Sequence, residues 1–270
     1  MRMRSLALRV VRGIALAYVL ACVVACVSID SLMFHPELVR GRYTASLPGF
    51  VDIGKDGERI AAWYGGGKDS RKAVLYCHGN AEDITSSMQY FKEFVKRGWT
   101  VLAVDWPGFG LSSGKPTEEG CYRTVHRAYE YLVKERGFAA EDVFVLGFSI
   151  GTGPATELAS TEKIGGLILE APFLSAPRIV TGVRILPMDP FPNIARIDKI
   201  GCPLLVIHGT DDSIVPFRHG EMLFEKAKEP KRHVPVEGAD HTDFIAKMGL
   251  EAYIELMEDF MRGAGGNGLN

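Results

Sequence analysis

The chain has 270 residues, 47% of them hydrophobic and 24% charged, with a net charge of −2. That length and balance suit one large α/β domain, or two small ones, with a sizeable core. A charge so near zero excludes a global field that would draw the chain to nucleic acid. The five cysteines form no CxxC pair, and the seven histidines show no HExxH or other metal-ligand spacing. Neither a disulfide framework nor a metal is therefore expected.

At the N-terminus, Arg2, Arg4, Arg9 and Arg12 precede the uncharged stretch GIALAYVLACVVACVSI, residues 13–29. A basic flank followed by an apolar run is the pattern of a secretory signal or an anchor helix. The stretch lies near the lower length limit for spanning a bilayer. The arginine excess predicts a cytoplasmic N-terminus and a body on the far side of the membrane. VVAC (23–26) resembles a bacterial lipobox, which makes Cys26 a lipidation candidate. The competing expectation is an uncleaved signal anchor. Either way the membrane is an expected partner through residues 1–29.

Residues 51–64 read as a hairpin around Asp56-Gly57. Strand and helix signals then alternate. Strands are expected at 72–79, 100–106, 143–149, 165–173, 203–209 and 232–238. Helices are expected at 82–98, 117–137, after Ser149, at 220–229 and at 243–263. The helix at 117 opens Thr-x-x-Gly, carries acid in its first turn, and ends in Lys, Arg and Gly, as the helix dipole and C-cap prefer. About thirty residues rich in Pro and Ile (174–201) leave room for a short lid only. The tail 264–270 is expected to be disordered. Residues 30–263 thus read as a single α/β domain with a mostly parallel sheet covered by helices on both faces. Ligands of such sheets bind at the carboxyl ends of the strands.

One strand runs straight into Gly-Phe-Ser-Ile-Gly (147–151) and then into residues of helical character. Strand, sharp turn and helix form the context of a nucleophile elbow, with Ser149 at the sheet edge. A second Gly-x-Ser-x-Gly surrounds Ser112, but it lies in the Gly-, Pro- and Ser-rich stretch DWPGFGLSSGKPTEEG and reads as loop. A serine nucleophile needs a histidine base, and the base needs a carboxylate. Asp211 and Asp212 follow the strand at 203–209, and His241 follows the last strand, in the chain order Ser…Asp…His. Glu170, at the end of LILE, is the runner-up acid. An oxyanion would be met by the backbone N–H of Ile150 and by that of Asn80 or Ala81 in the turn after YCHG. His78 and His208 read as strand-ending turn residues, with His78 shaping its turn.

The pieces YCHGNA, DWPGFGLSSGKPTEEG, GFSIG, LEAPF, CPLLVIHGTDDSIVP and GADHTDF, spread over about residues 70–262, resemble the α/β-hydrolase superfamily. Within it they resemble the serine hydrolases of the ABHD and serine-aminopeptidase-like type. The resemblance implies an α/β-hydrolase fold and places the acid at Asp212, the nucleophile at Ser149 and the base at His241. It implies hydrolysis of an ester, thioester or amide without a cofactor, and the short lid and the apolar N-terminal stretch favour a small-molecule acyl ester over a large peptide as the substrate. Where one common relative has His-Asn-Asp, this chain has His241-Thr242-Asp243. A serine-aminopeptidase-like peptidase and a non-catalytic, membrane-anchored binding module on the same fold are the alternatives.

Overall fold

Short β-branched and apolar runs build the centre of the molecule. In the computed structural model, which describes residues 2–39, 41–67, 70–184 and 187–263, they form an eight-stranded sheet. The strands are β1 (Phe50–Asp52), β2 (Ala61–Gly65), β3 (Ala73–Cys77), β4 (Thr100–Val104), β5 (Val143–Phe148), β6 (Gly166–Glu170), β7 (Leu204–Gly209) and β8 (Lys231–Val236). Their order is β1-β2-β4-β3-β5-β6-β7-β8. β1 and β2 are antiparallel to each other, as are β2 and β4, and every other pairing is parallel. The hairpin turns through Asp56 and Gly57, both at positive φ. The strands from β3 to β7 are buried along their whole length, as expected where both faces are covered.

The helices are α1 (Arg2–Met33), α2 (Met88–Lys96), α3 (Glu118–Glu130), α4 (Thr152–Thr161), α5 (Ala176–Thr181), α6 (Arg218–Lys226), α7 (Phe244–Met248) and α8 (Leu250–Gly263). Alternate strand residues divide between two cores. Leu75, Val145, Leu167 and Val206 pack with Val125 of α3, Leu158 of α4 and Leu223 of α6. Val74, Leu146, Ile168 and Ile207 pack with Phe91 of α2 and with Ile254 and Phe260 of α8. Cys77 is one of the buried apolar residues of the first core.

Several boundaries differ from the sequence expectations. The helix expected from residue 82 begins at Met88. Residues 83–86 instead form a side-chain turn, in which Asp83 Oδ1 accepts from the Thr85 N–H and hydroxyl at 2.8 and 2.6 Å. Short polar side chains compete in this way with helical hydrogen bonds. The final helix is broken in two at Gly249, whose φ is 88°. Helix α3 starts as expected, with Thr117 Oγ1 accepting from Gly120 N at 3.0 Å, and then widens to a π-turn at Tyr131–Glu135.

Helix α1 runs past the apolar stretch to Met33. No single helix among the described residues is long and apolar enough to cross a membrane. Arg9–Val24 and Ile29–Leu38, bent by 63° to one another, together meet the length and composition of a broken span. Cys26 falls within α1, but its side chain lies outside the described residues, as does the tail 264–270. The chain enters the core directly after α1. Phe34 is 3% exposed and stands edge-on to Phe109 and Phe191. The segment 174–201 carries α5, stopped by Gly182, and two 3₁₀ turns at Asn193–Ala195 and Ile197–Lys199. An Arg178–Asp189 ion pair of 2.7 Å ties this segment together.

Candidate active site

Because β3, β5, β7 and β8 are parallel, the loops that follow them open at one edge of the sheet. Ser149 follows β5 directly and adopts φ 50°, a left-handed conformation that costs an L-residue energy. The flanking glycines permit it by their missing atoms. A Cβ on Gly147 would lie 2.6 Å from the Gly151 carbonyl oxygen, and one on Gly151 would collide with that of Cys77 at the end of β3. The first turn of the following helix therefore sits against the strand end from which the turn 78–80 departs.

Ser149 Oγ lies 3.0 Å from His241 Nε2, and His241 Nδ1 lies 2.8 Å from Asp212 Oδ2. With Nδ1–H donating to the carboxylate, Nε2 is left to accept from the serine hydroxyl. Phe148 packs against the imidazole at a centroid distance of 5.2 Å. Asp212 Oδ1 accepts from the N–H groups of Ile214 and Val215 at 2.9 and 2.7 Å. Burial acts to raise the Asp212 pKa, but the hydrogen bonds from His208 and His241 outweigh it and hold the group well below the usual carboxylate range.

His208 thus does more than end a strand, which is all its sequence position suggested. It is fully buried, and its Nε2 lies 3.2 Å from Asp212 Oδ2 and 2.9 Å from the Val215 carbonyl oxygen. Asp240 is a second contributor that the sequence did not single out. Its Oδ1 accepts from Ser213 N, Ser213 Oγ and His241 N at 2.8, 2.8 and 2.7 Å. It clips the acid-bearing loop to the histidine-bearing loop, and the bond from the Ser213 N–H leads in lowering its pKa.

The other serine and the other candidate acids stand apart from this run. Ser112 Oγ donates to the Asp105 carbonyl and accepts from Ala61 N, both at 2.9 Å, which fastens its loop to β2. Asp211 is exposed. Glu170 is buried and accepts from Tyr253 Oη at 2.6 Å, and burial pushes its pKa up to about 8.

The turn after β3 is fixed peptide by peptide. The His78 carbonyl accepts from Trp106 Nε1 at 3.1 Å, and the Gly79 carbonyl accepts from His78 Nδ1 at 2.6 Å. His78 is fully buried, with Nε2 3.4 Å from Asp105 Oδ1. Burial opposes its charge, but Asp105 and the Gly79 carbonyl prevail and raise its pKa. Asn80 Oδ1 accepts from the His35 N–H at 3.0 Å. Because a trans peptide points its C=O and N–H in opposite directions, anchoring the Gly79 carbonyl on His78 sets the direction of the Asn80 N–H. Ile150 sits in the first helical turn after Ser149, where N–H groups have no intrahelical acceptor.

A sequence model of the serine aminopeptidase (S33) family matches residues 68–195. The human alpha/beta hydrolase domain-containing protein 17B is 35% identical over 216 residues, spanning 78% of this chain and 74% of that protein. The Caenorhabditis elegans alpha/beta hydrolase domain-containing protein aho-3 is 34% identical, spanning 72% of this chain and 58% of the other. Among solved structures, an esterase from Exiguobacterium antarcticum superposes with a TM-score of 0.60 at 18% identity, over 79% of this chain and 98% of that one. A monoacylglycerol lipase from Paleococcus ferrophilus superposes with a TM-score of 0.61 at 21% identity, over 75% and 98%. At such identities the structural likenesses speak for the fold alone. The relatedness in sequence goes further: this chain has the α/β-hydrolase fold and belongs to the ABHD-type α/β hydrolases.

Proposed function

We propose that this hydrolase is a membrane-tethered serine hydrolase that cleaves carboxylic esters or thioesters of small acyl substrates through an acyl-enzyme, without a cofactor. The reading rests on the hydrogen-bonded run from Ser149 Oγ through His241 to Asp212, set on a serine of left-handed backbone conformation. In this mechanism Ser149 Oγ attacks the carbonyl carbon while His241 Nε2 takes its proton. Asp212 holds the imidazole tautomer and stabilises the imidazolium. The N–H groups of Asn80 and Ile150 receive the oxyanion, a contribution on the order of 10²–10³ in rate per donor. His241 then protonates the leaving group, and a water activated by the same nitrogen releases the acyl group.

The apolar α1 and the short lid favour an acyl-chain substrate over a long peptide. The match to a serine aminopeptidase family model supports peptide hydrolysis as a second reading. A fluorophosphonate probe, with the site mapped by mass spectrometry, tests the nucleophile: Ser149→Ala abolishes labelling and Ser112→Ala retains it. Label on Ser112 would refute the assignment, and no label on the wild type would favour the non-catalytic binding module. Comparing p-nitrophenyl acyl esters with aminoacyl p-nitroanilides separates the two hydrolytic readings. The arginine-flanked apolar helix supports tethering, with the body outside the cytoplasm. Intact mass of the membrane fraction distinguishes a lipidated chain starting at Cys26 from a full-length anchor, and an unmodified, full-length cytoplasmic protein would overturn both. Protease accessibility of the body in intact cells tests the orientation.

A further inference from the structure

Glu82 follows the turn after β3, and nothing in the sequence marks it as more than a polar residue at the start of the helix expected from there. Its Oε2 accepts from Gly79 N at 2.9 Å and from Tyr76 Oη at 2.9 Å. Tyr76 is buried in the sheet, and its hydroxyl is also 3.2 Å from Ser87 Oγ. One carboxylate oxygen therefore joins the Gly79 amide to a hydroxyl that the sheet holds in place. The same amide belongs to the peptide whose carbonyl Trp106 fixes, so that peptide is pinned at both its ends. Gly79 also lies close on Phe148, the residue before Ser149: a Cβ there would be 2.8 Å from the Phe148 ring. The peptide fixed by Glu82 immediately precedes the one that carries the Asn80 N–H.

We propose that Glu82 is a positioning residue for the oxyanion site. It acts through Gly79 to hold the turn that aims the Asn80 N–H, and this rests on the Ser149 mechanism proposed above. Without the carboxylate, the Gly79 amide loses its acceptor, and the turn is left to the Trp106 contact on the His78 carbonyl and the His78 contact on the Gly79 carbonyl, which hold it less tightly. Misplacement of a catalytic group by about 1 Å can cost 100-fold. The effect falls on the transition state, because the ground-state carbonyl makes weaker demands on the donors than the oxyanion does.

The experiment uses the full-length protein in detergent, with active sites counted by fluorophosphonate titration so that rates are per reactive Ser149. Glu82→Ala is expected to lower kcat per site roughly 10- to 100-fold on a p-nitrophenyl ester with little change in KM. Inhibition by a boronic acid, whose tetrahedral adduct presents an oxygen to the same donors, should weaken in parallel. Glu82→Gln keeps an acceptor oxygen at the same reach and should restore most of kcat. A purely structural role would lower the number of titratable sites and leave kcat per site unchanged. Should Glu82→Ala not fold, Glu82→Asp keeps the charge but falls one methylene short of Gly79, and it should show the same kcat-selective loss to a smaller degree. A folded Glu82→Ala or Glu82→Asp protein with wild-type kcat per site overturns the role of Glu82 alone. A wild-type protein that takes no label at Ser149 overturns the mechanism beneath it, and this proposal with it.

Discussion

Asp211 and Asp212 are adjacent and chemically identical, and the fold gives them opposite surroundings. Asp212 collects two backbone N–H groups and two imidazoles, whereas the Asp211 side chain is exposed. Asp212→Asn should lower kcat/KM by about 10⁴, because an amide favours the wrong tautomer of His241. Asp211→Asn should change it little, as surface substitutions usually shift stability by only about 0.5 kcal/mol. Ester hydrolysis by the two purified variants checks the pair, and equal, mild effects would return attention to Glu170. His208→Ala leaves the buried Val215 carbonyl without its donor and Asp212 with one donor fewer. It should destabilise the fold by about 1–3 kcal/mol, measured by denaturant unfolding, and lower kcat as well. At this scale the strand ends pointed to Ser149, to His241 and to the pair Asp211 and Asp212, and it was the resemblance to the α/β hydrolases that chose Asp212 between the two. The sequence could not single out His208, Asp240 or the His35–Asn80 contact. Their partners are set by which loops the sheet brings together, and His35 and Asn80 are 45 positions apart.

Two chain reversals built on glycine separate the elements of the site from those that only support it. At the elbow, added methyl groups on Gly147 or Gly151 meet backbone carbonyls that cannot move aside. At Gly249, between α7 and α8, nothing lies within 4 Å of a built Cβ, and the demand is purely conformational, with φ at 88°. Gly249→Ala should therefore cost about 1–3 kcal/mol of backbone strain and leave the rate of fluorophosphonate labelling unchanged. Gly151→Ala should cost a similar amount or more through overpacking, about 1–3 kcal/mol, and should suppress labelling as well, since the turn carrying Ser149 must shift. Thermal unfolding and labelling kinetics on the same samples distinguish the two. The alternation of strands and helices was legible from hydrophobic runs and punctuating glycines. The start of α2 was not, because Asp83, Thr85 and Ser86 satisfy the backbone with side chains, and periodicity does not register that competition. The break at Gly249 was also hidden, since the apolar spacing continues across it.

At the scale of the whole molecule, Glu170 makes stability depend on pH, because burial pushes its pKa up to about 8 from an ordinary 4.5. Between those values the folded state holds a proton that the unfolded state has released. Stability from this group is therefore fully present below pH 4.5 and is lost as pH rises toward 8, by an amount on the order of a few kcal/mol. Glu170→Gln should flatten that slope and raise the melting temperature relative to wild type at pH 8.5, while Tyr253 keeps an oxygen to donate to. Melting curves for both proteins at pH 5.5 and 8.5 test it, and parallel slopes would exclude the effect.

The passage from α1 into the body has a bearing on reach. A flexible linker of n residues lets a tethered domain explore a radius of about 5–6 Å × √n. Here the residue after the helix end at Met33 is Phe34, already 3% exposed between aromatic rings. For a body tethered through α1, the leash has no slack. The site would then reach only a narrow range of distances from the anchor, and acyl groups carried outside that range would be beyond its stroke. Twenty Gly-Ser residues inserted between Met33 and Phe34 would add roughly 25 Å of travel. They should widen the range of distances from the anchor at which acyl groups on a vesicle are cleaved, while leaving the rate on a soluble ester as it was. Selection among membrane-borne substrates would then be made by reach before any pocket is entered.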